Sequence, residues 1–224
     1  MNSPTEVVRH RARSHRGARS LALLVALAVG STVMTGVVGA ATTTTTVDPG
    51  RLTQTRAEPA FGAPLAFQLR QLWNALVADD ATMGRTVFFP RTAYLKMKTG
   101  VIANPSGDYA SRLIGLFNLD VHAYHRRLEQ GGRPTLVRYS YETGHAAWIA
   151  PGSCENSIGY WHLGHVRYVY RHGSSLYSVD VFSLISWHGV WYVVHLGPNP
   201  RAVDVGTVDG YARGPGSPGP PGGC

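Results

Sequence analysis

The chain has 224 residues, of which 44% are hydrophobic and 15% charged, with two cysteines and a formal net charge of +8. This length suits one ordinary domain with tails, and the hydrophobic content excludes a chain that is disordered throughout. Two cysteines are too few for a disulfide-dense small fold or a four-cysteine zinc site.

The first 41 residues have the composition of a targeting segment. Residues 1–20 contain five arginines and one glutamate, which is half of the net charge, and residues 21–41 contain no charge. A basic start, an apolar core and small residues beyond it are the parts of a secretory signal peptide, while an uncharged run of this length also suits an N-terminal membrane anchor. Both alternatives remain open. Both predict that the chain after residue 41 lies outside the cytoplasm.

Two segments of low complexity flank the central part of the chain. Residues 42–60 begin with five threonines and predict a linker. In residues 201–224, nine of the ten positions from Gly214 to Gly223 are Gly or Pro, which predicts a disordered tail. The folded domain is therefore predicted to span residues 61–200.

The first half of this domain has helical periodicity. Apolar residues from Leu65 to Val77 recur at the spacing of an amphipathic helix that begins near Pro64 and ends at Asp79. Further helices are predicted after Asn104 and again after residues 118–120. Asp108 and Asp120 stand where helix-capping residues are expected.

After Pro134 the pattern changes to that of strands. The predicted strands cover residues 136–142, 146–149, 158–171, 176–187 and 190–196, with turns at 143–144, 172–175 and 188–189. Helices followed by a meander of strands predict an α+β fold, in which N-terminal helices pack on a curved antiparallel sheet.

Two segments carry a resemblance to known families. The ending from Leu184 to His195, with Gly189-Val190-Trp191 inside it, resembles the closing hairpin of NTF2-like (cystatin-like) domains. Together with Pro151 to His162 it is similar to a family of uncharacterised exported proteins of high-GC Gram-positive bacteria, over about residues 93–198. The resemblance implies an NTF2-like fold and a place in the cell envelope, and it implies no activity.

The two cysteines raise a question about bonding. Cys154 follows Pro151-Gly152-Ser153 and lies in a predicted loop, and Cys224 ends the tail. Outside the cell the two could form a disulfide, and a free or intermolecular thiol is the alternative. No nucleophile motif surrounds Cys154.

Neither a catalytic residue nor a metal site is predicted, and no cofactor is implied. His162 and His165 form an H-x-x-H, but a three-residue step along a strand places its two side chains on opposite faces unless Gly164 bulges the strand.

A binding pocket is the favoured hypothesis, because aromatic residues are dense in the strands and a curled sheet with helices encloses space. Asp108 and His195 are further polar groups that such a pocket could use. The pocket candidates are Trp148, Tyr160, Trp161, Tyr170, Trp187, Trp191, His125 and Glu142.

We therefore expect an extracytoplasmic, non-catalytic module of the cell envelope, secreted or anchored through residues 21–41. It would bind a small apolar or aromatic ligand or an envelope protein. The alternative is a small exported enzyme of isomerase or hydrolase type that uses a pocket histidine with an acidic residue. Nucleic acid is not an expected partner, because the predicted export places the chain outside the cell, away from nucleic acid.

Overall fold

The computed structural model describes residues 47–223, so the predicted signal or anchor at 1–41 and the threonine run lie outside the described residues. Within 47–223, no helix combines the length and apolarity that crossing a bilayer requires. Helices come first along the chain and a six-stranded antiparallel sheet follows. The predicted α+β class is thereby confirmed.

Within residues 47–223, five α-helices precede the sheet. The longest of the early ones, α1, has Pro64 in its first turn and buries the predicted leucine face, and it ends at Asp79 in a left-handed conformation. The prediction for this helix is confirmed. The helices are α1 (Ala63–Ala78), α2 (Ala81–Gly84), α3 (Arg91–Lys98), α4 (Pro105–Asp108) and α5 (Ile114–Leu128).

The two helices predicted after Asn104 form one helical run. A π-helical turn, Tyr109–Leu113, joins α4 to α5, so no break occurs at residues 118–120. Asn104, rather than Asp108, caps α4, and its Oδ1 accepts a hydrogen bond of 2.9 Å from Gly107 N. The capping predictions for Asp108 and Asp120 are wrong, because both carboxylates bind arginines instead.

The sheet is centred on two long strands, β3 and β4. β1 and β2 both pair with one edge of β3, and β5 and β6 both pair with the far edge of β4. The first five strands lie where the sequence predicts them, and β6 is new. The strands are β1 (Thr135–Ser140), β2 (Ala147–Ile149), β3 (Tyr160–His172), β4 (Ser175–Trp187), β5 (Val190–His195) and β6 (Asp209–Arg213).

The core lies between α1 and the centre of the sheet. The Trp73 ring of α1 contacts the ring of Tyr168 on β3 at a centroid distance of 5.3 Å. The Tyr168 hydroxyl is fully buried and donates to the Leu69 carbonyl at 2.8 Å. Burying a phenol requires such a partner, since an unpaired hydroxyl would cost free energy. These contacts fix α1 against β3.

The boundaries predicted for the linker and the tail need correction. Asp48 caps a short 3-10 turn and accepts from the Thr92 hydroxyl, and the Gln54 amide donates to the Ser186 carbonyl at 2.9 Å. At the other end, residues 209–213 add strand β6 to β4, and Gly222 N donates to the His145 carbonyl at 2.8 Å. Both segments satisfy backbone groups of the domain, so neither is a free linker or tail.

Candidate functional site

A cavity of about 550 Å³ lies between the helical segment 89–113 and strands β3, β4 and β5. Apolar side chains and charged or polar side chains contribute about equally to its wall. The side chains that line it are Phe89, Tyr94, Met97, Lys98, Ile102, Asp108, Arg112, Leu113, Cys154, Glu155, Asn156, Tyr160, His162, His165, Phe182, Ser183, Ile185, Val194, His195, Asn199, Pro220 and Pro221. The volume of this cavity is within the range of small-molecule sites.

An ion pair with a tyrosine forms one part of the wall. Arg112 binds both oxygens of Asp108 at 2.7 Å, a bidentate contact between neighbouring helical turns. The Tyr94 hydroxyl donates to Asp108 Oδ2, and Arg112 Nη2 lies 3.3 Å from the same hydroxyl. These hydrogen bonds, chiefly those from Arg112, lower the pKa of Asp108. Burial raises the pKa of Tyr94. The trio is therefore held as carboxylate, guanidinium and neutral phenol.

A second cation, Lys98, lies one turn along α3 from Tyr94. Its side chain is buried, with 8% of the residue exposed, and its Nζ donates to the Glu155 carbonyl at 2.8 Å. Within residues 47–223, Lys98 forms no ion pair. Burial lowers its pKa. The wall thus holds two cations, Lys98 and Arg112, and two acidic residues, Asp108 and Glu155.

Two of the histidines in the cavity wall, His162 and His195, have a lowered pKa. His162 Nε2 lies 2.8 Å from Ser183 Oγ, and its Nδ1 lies 2.8 Å from the Gly223 carbonyl oxygen. Burial lowers the pKa of His162. His195 on β5 is more strongly affected, since burial first and nearby cations second lower its pKa to about 3. Both rings are therefore neutral at pH 7 and can offer hydrogen bonds without charge.

We predict that His195 makes the stability of the fold depend on pH. Lys98, Arg112, Arg201 and His162 all oppose its protonation. Its pKa is 6.5 unfolded and about 3 folded, so the unfolded state takes up the proton first. The contribution is complete above pH 6.5 and is lost as the pH falls from 6.5 towards 3. Between pH 7.5 and 5.5 this loss amounts to about 1.4 kcal/mol.

Chemical denaturation at both pH values measures this effect. His195→Gln should flatten the pH dependence by that amount, whereas His188→Gln, an exposed histidine in the β4–β5 turn, should leave it as in the wild type. Identical slopes in the wild type and His195→Gln would contradict the prediction.

The C-terminal segment closes one side of the cavity. We call Gly214–Gly223 the strap; its residues Pro220, Pro221 and Gly223 line the cavity. It begins after β6 and is bonded to His145 through Gly222 and to His162 through Gly223. The sequence predicted a disordered segment here because Gly and Pro supply few local contacts. In the structure, backbone groups of the strap instead form hydrogen bonds with His145 and His162, and these bonds fix its position.

A polar cluster fastens β6 at the base of the strap. Asp180 is buried, its Oδ2 accepts from Arg167 Nη2 at 2.7 Å, and His165 Nδ1 lies 3.1 Å from Asp209 Oδ2. Burial raises the pKa of Asp180 to about 7. The ligand atoms of His165, Asp180 and Asp209 lie within 4.8 Å of one another, close enough to hold a metal ion. Arg167, however, already supplies a positive charge to Asp180. The contacts among Arg167, Asp180, His165 and Asp209 are therefore explained as an ion-pair network.

The H-x-x-H pair does not converge on one site. Strand β3 keeps a constant register with β4 through this region, so Gly164 makes no bulge. His162 contacts Ser183, while His165 contacts Asp209. The two rings therefore belong to different networks.

Of the eight predicted pocket residues, Tyr160 lines the cavity. Trp187 is buried against Phe89, and Tyr170 packs against Trp73, because both belong to central strands that face the helices. Trp191 lines a smaller apolar pocket of about 250 Å³ beside the start of α1.

The remaining candidates lie away from the cavity. Trp148 and Trp161 form an edge-to-face pair between β2 and β3. His125 bonds to the Val77 carbonyl, and Glu142 is exposed. None of these four is among the residues that line the cavity.

Sequence reasoning found Asp108 and His195 as polar groups and missed Lys98 and Arg112. Two signals were present in the sequence. Tyr94 and Lys98 are four residues apart and share a face of α3, and Asp108 and Arg112 have the same spacing. Charged residues at such spacing more often belong to a solvated helix face, which is why the pattern alone did not identify a cavity.

Cys154 also lies in the cavity wall, in a left-handed conformation, and it is disulfide-bonded. The other cysteine of the chain, Cys224, lies outside the described residues. Pairing between Cys154 and Cys224 therefore stays a prediction. It agrees with the position of Gly223, whose backbone contacts the cavity wall at His162.

Comparison with known proteins identifies no relative. No family model, no curated protein and no solved structure matches the chain. The geometry of the cavity is therefore the basis for any functional conclusion.

Proposed function

We propose that the chain is an extracytoplasmic, non-catalytic ligand-binding domain with an NTF2-like fold, which holds a small molecule with an apolar body. The observation that carries this proposal is the cavity of about 550 Å³ between the helices and the sheet. Helices that precede a closing antiparallel sheet support the fold assignment, and the disulfide-bonded Cys154 supports an oxidising compartment.

The absence of tryptophan from the cavity favours a binding role. All five tryptophans of the chain fall within residues 47–223, and none of them lines the cavity. The large indole groups are used in packing elsewhere, so the space between helices and sheet is left for another molecule. A cavity of this size is within the range of pockets that hold ligands of drug size.

The protonation states favour binding over acid–base catalysis. A general acid or base works best when its pKa lies near the working pH. His195 is held neutral by a pKa of about 3, and the pKa of Tyr94 is raised above its ordinary value. Of the histidines that line the cavity in the described chain, His165 alone contacts a carboxylate, that of Asp209. Asp180, in the same cluster, is already paired with Arg167.

Fluorescence titration with N-phenyl-1-naphthylamine, a neutral apolar dye, tests the proposal. The folded protein should bind this dye at one site per chain. Ile102→Trp, which adds an indole to the cavity wall, should weaken binding by roughly tenfold or more, equivalent to about 1.4 kcal/mol. Val101→Trp places the same group at an exposed neighbour that does not line the cavity, and its binding should equal that of the wild type.

Two results would overturn the proposal. One is the lack of any dye binding by the folded wild-type protein. The other is equal binding by wild type, Ile102→Trp and Val101→Trp, since dye bound at the outer surface would not respond to a change in the cavity wall. Circular dichroism of each variant confirms that the fold is retained during the comparison.

A further inference from the structure

The strap is held to the rest of the domain by few noncovalent contacts. Gly214 N donates to the Leu176 carbonyl at 2.8 Å where the strap leaves β6, and Gly222 N donates to the His145 carbonyl at 2.8 Å near its end. Between these points, residues 215–221 form no hydrogen bond with any residue of the described range 47–223. None of the residues of the strap is buried. A segment with so few buried contacts opens at a low cost in free energy.

The loop that carries Cys154 is held more firmly. Gly152 N donates to the Asn156 carbonyl at 2.7 Å, and the buried side chain of Asn156 donates to the Cys154 carbonyl at 2.8 Å. Lys98 of α3 donates to the next carbonyl along the chain, that of Glu155, at 2.8 Å. The loop is thus a fixed part of the cavity wall.

Cys154 and the strap meet at the same cavity. Cys154 lines the cavity together with Pro220, Pro221 and Gly223, and Cys154 is disulfide-bonded. Cys224 is the other of the two cysteines of the chain, and it directly follows Gly223 in the sequence. A disulfide to Cys224 would therefore join the weakly held end of the strap to the firmly held loop.

We infer that a disulfide between Cys154 and Cys224 holds the strap against the cavity, and that its reduction opens the cavity and speeds release of the ligand. This inference rests on the proposed binding function, and it names a redox control of that same site. Hydrogen bonds set the position of the strap, while the disulfide keeps its end from leaving. The tether maintains a high effective concentration of the strap at the surface that it covers.

The reductant is a dithiol, which acts by thiol–disulfide exchange. One thiolate of the dithiol attacks a sulfur of the protein disulfide, so that the bond between the two protein sulfurs breaks and a mixed disulfide forms. The second thiol of the dithiol then displaces the protein sulfur from the mixed disulfide. Two electrons pass from the dithiol to the protein, the dithiol becomes a disulfide, and its two protons end on the thiols of Cys154 and Cys224.

Stopped-flow dissociation of N-phenyl-1-naphthylamine, before and after treatment with dithiothreitol, tests the inference. Reduction of the wild type should make dye release roughly tenfold faster or more. Cys224→Ser should release the dye at the fast rate without any reductant, because it removes the tether and leaves every described residue of the cavity wall unchanged.

A variant without cysteine is the matched control for the reductant. The Cys154→Ser, Cys224→Ser double variant removes both cysteines of the chain. It should release the dye at the fast rate, and dithiothreitol should leave that rate unchanged.

Hydrogen exchange locates the motion without a ligand. The Gly222 N–H, which is bonded to the His145 carbonyl, should exchange faster in the reduced wild type and in Cys224→Ser. The Gly214 N–H, which is bonded to the Leu176 carbonyl at the other end of the strap, is the internal control. Its exchange should be the same in the oxidised and the reduced protein.

The outcomes are distinct. Unchanged dye release or unchanged exchange at Gly222 after reduction would overturn the inference and leave the binding function standing. A covalent dimer on a non-reducing gel would also overturn it, because the disulfide would then join two chains. Faster exchange at Gly214 as well as Gly222 would overturn it too, because the disulfide would then stabilise more than the strap. Failure of the oxidised wild type to bind the dye would overturn the proposed function itself.

Discussion

Asp120→Ala is expected to lower the free energy of unfolding by about 3–5 kcal/mol, because it leaves a buried arginine without its partner. Asp120 on α5 is 1% exposed, and its Oδ2 accepts from Arg201 Nη2 at 2.5 Å. The same carboxylate accepts from the backbone N–H groups of Gly197 and Thr207, each at 2.9 Å. One side chain therefore holds both ends of the connection from β5 to β6.

The pKa of Asp120 explains why removing one member of the Asp120–Arg201 pair should cost more stability than removing both. Burial raises this pKa in spite of the hydrogen bond from Arg201, which lowers it. The attraction within the pair thus does not fully repay the removal of both charges from water. Asp120→Ala combined with Arg201→Met should therefore recover part of the stability lost by Asp120→Ala alone. Recovery is incomplete because the two backbone N–H groups remain without their acceptor.

Urea denaturation measures both effects, with a nearby aspartate as the control. Asp204 lies in the same connection and is exposed, and Asp204→Ala should change the unfolding free energy by no more than about 0.5 kcal/mol. A loss below about 1 kcal/mol in Asp120→Ala would show that the connection is not anchored at this residue.

The sheet was predictable because its sequence signals are local. The turn at His188–Gly189 places both residues at positive φ, as a two-residue hairpin requires, and alternating apolar residues mark the strands on either side. In the same way, the leucine face of α1 could be predicted from the spacing of its apolar residues alone. Each of these elements is defined by neighbours within a few residues.

The cavity and the strap were not predictable in that way. Aromatic density on β3 and β4 does not tell a core residue from a pocket residue, because both are apolar. Trp187 packs against Phe89 whereas Tyr160 lines the cavity, and that difference is a tertiary property. For the strap, composition reports that Gly and Pro form no helix or strand, and it does not report whether another element binds the backbone. Glycine makes a chain flexible, and it also lets a backbone approach another element closely. A high glycine content therefore does not distinguish a flexible tail from a packed segment.

Glycines 219 and 222 let the strap lie directly on the cavity wall. A Cβ on Gly219 would stand 2.2 Å from His165 Cβ, and one on Gly222 would stand 2.4 Å from the His162 carbonyl oxygen. Both distances are far below van der Waals contact. The Gly219→Ala, Gly222→Ala double variant should therefore displace the strap, since both clashes are with residues of β3.

Displacing the strap should open the cavity on the side formed by Pro220 and Pro221. If the cavity binds a small molecule as proposed, its release should become roughly tenfold faster, equivalent to about 1.4 kcal/mol. Stopped-flow dissociation of N-phenyl-1-naphthylamine measures that rate. Hydrogen exchange of the Gly222 N–H, which is bonded to the His145 carbonyl at 2.8 Å, reports displacement of the strap independently of any ligand.

Gly223→Ala is the matched control, because a Cβ at that position meets no atom within 4 Å. It makes the same chemical change one residue from Gly222 and should leave both the exchange rate and the dissociation rate as in the wild type. Faster exchange at Gly222 with unchanged dye release in the double variant would show that the ligand leaves by another route. A clash of this size cannot be absorbed without movement of the backbone. Unchanged exchange at Gly222 in the double variant would therefore contradict the prediction that these two glycines hold the strap on the cavity wall.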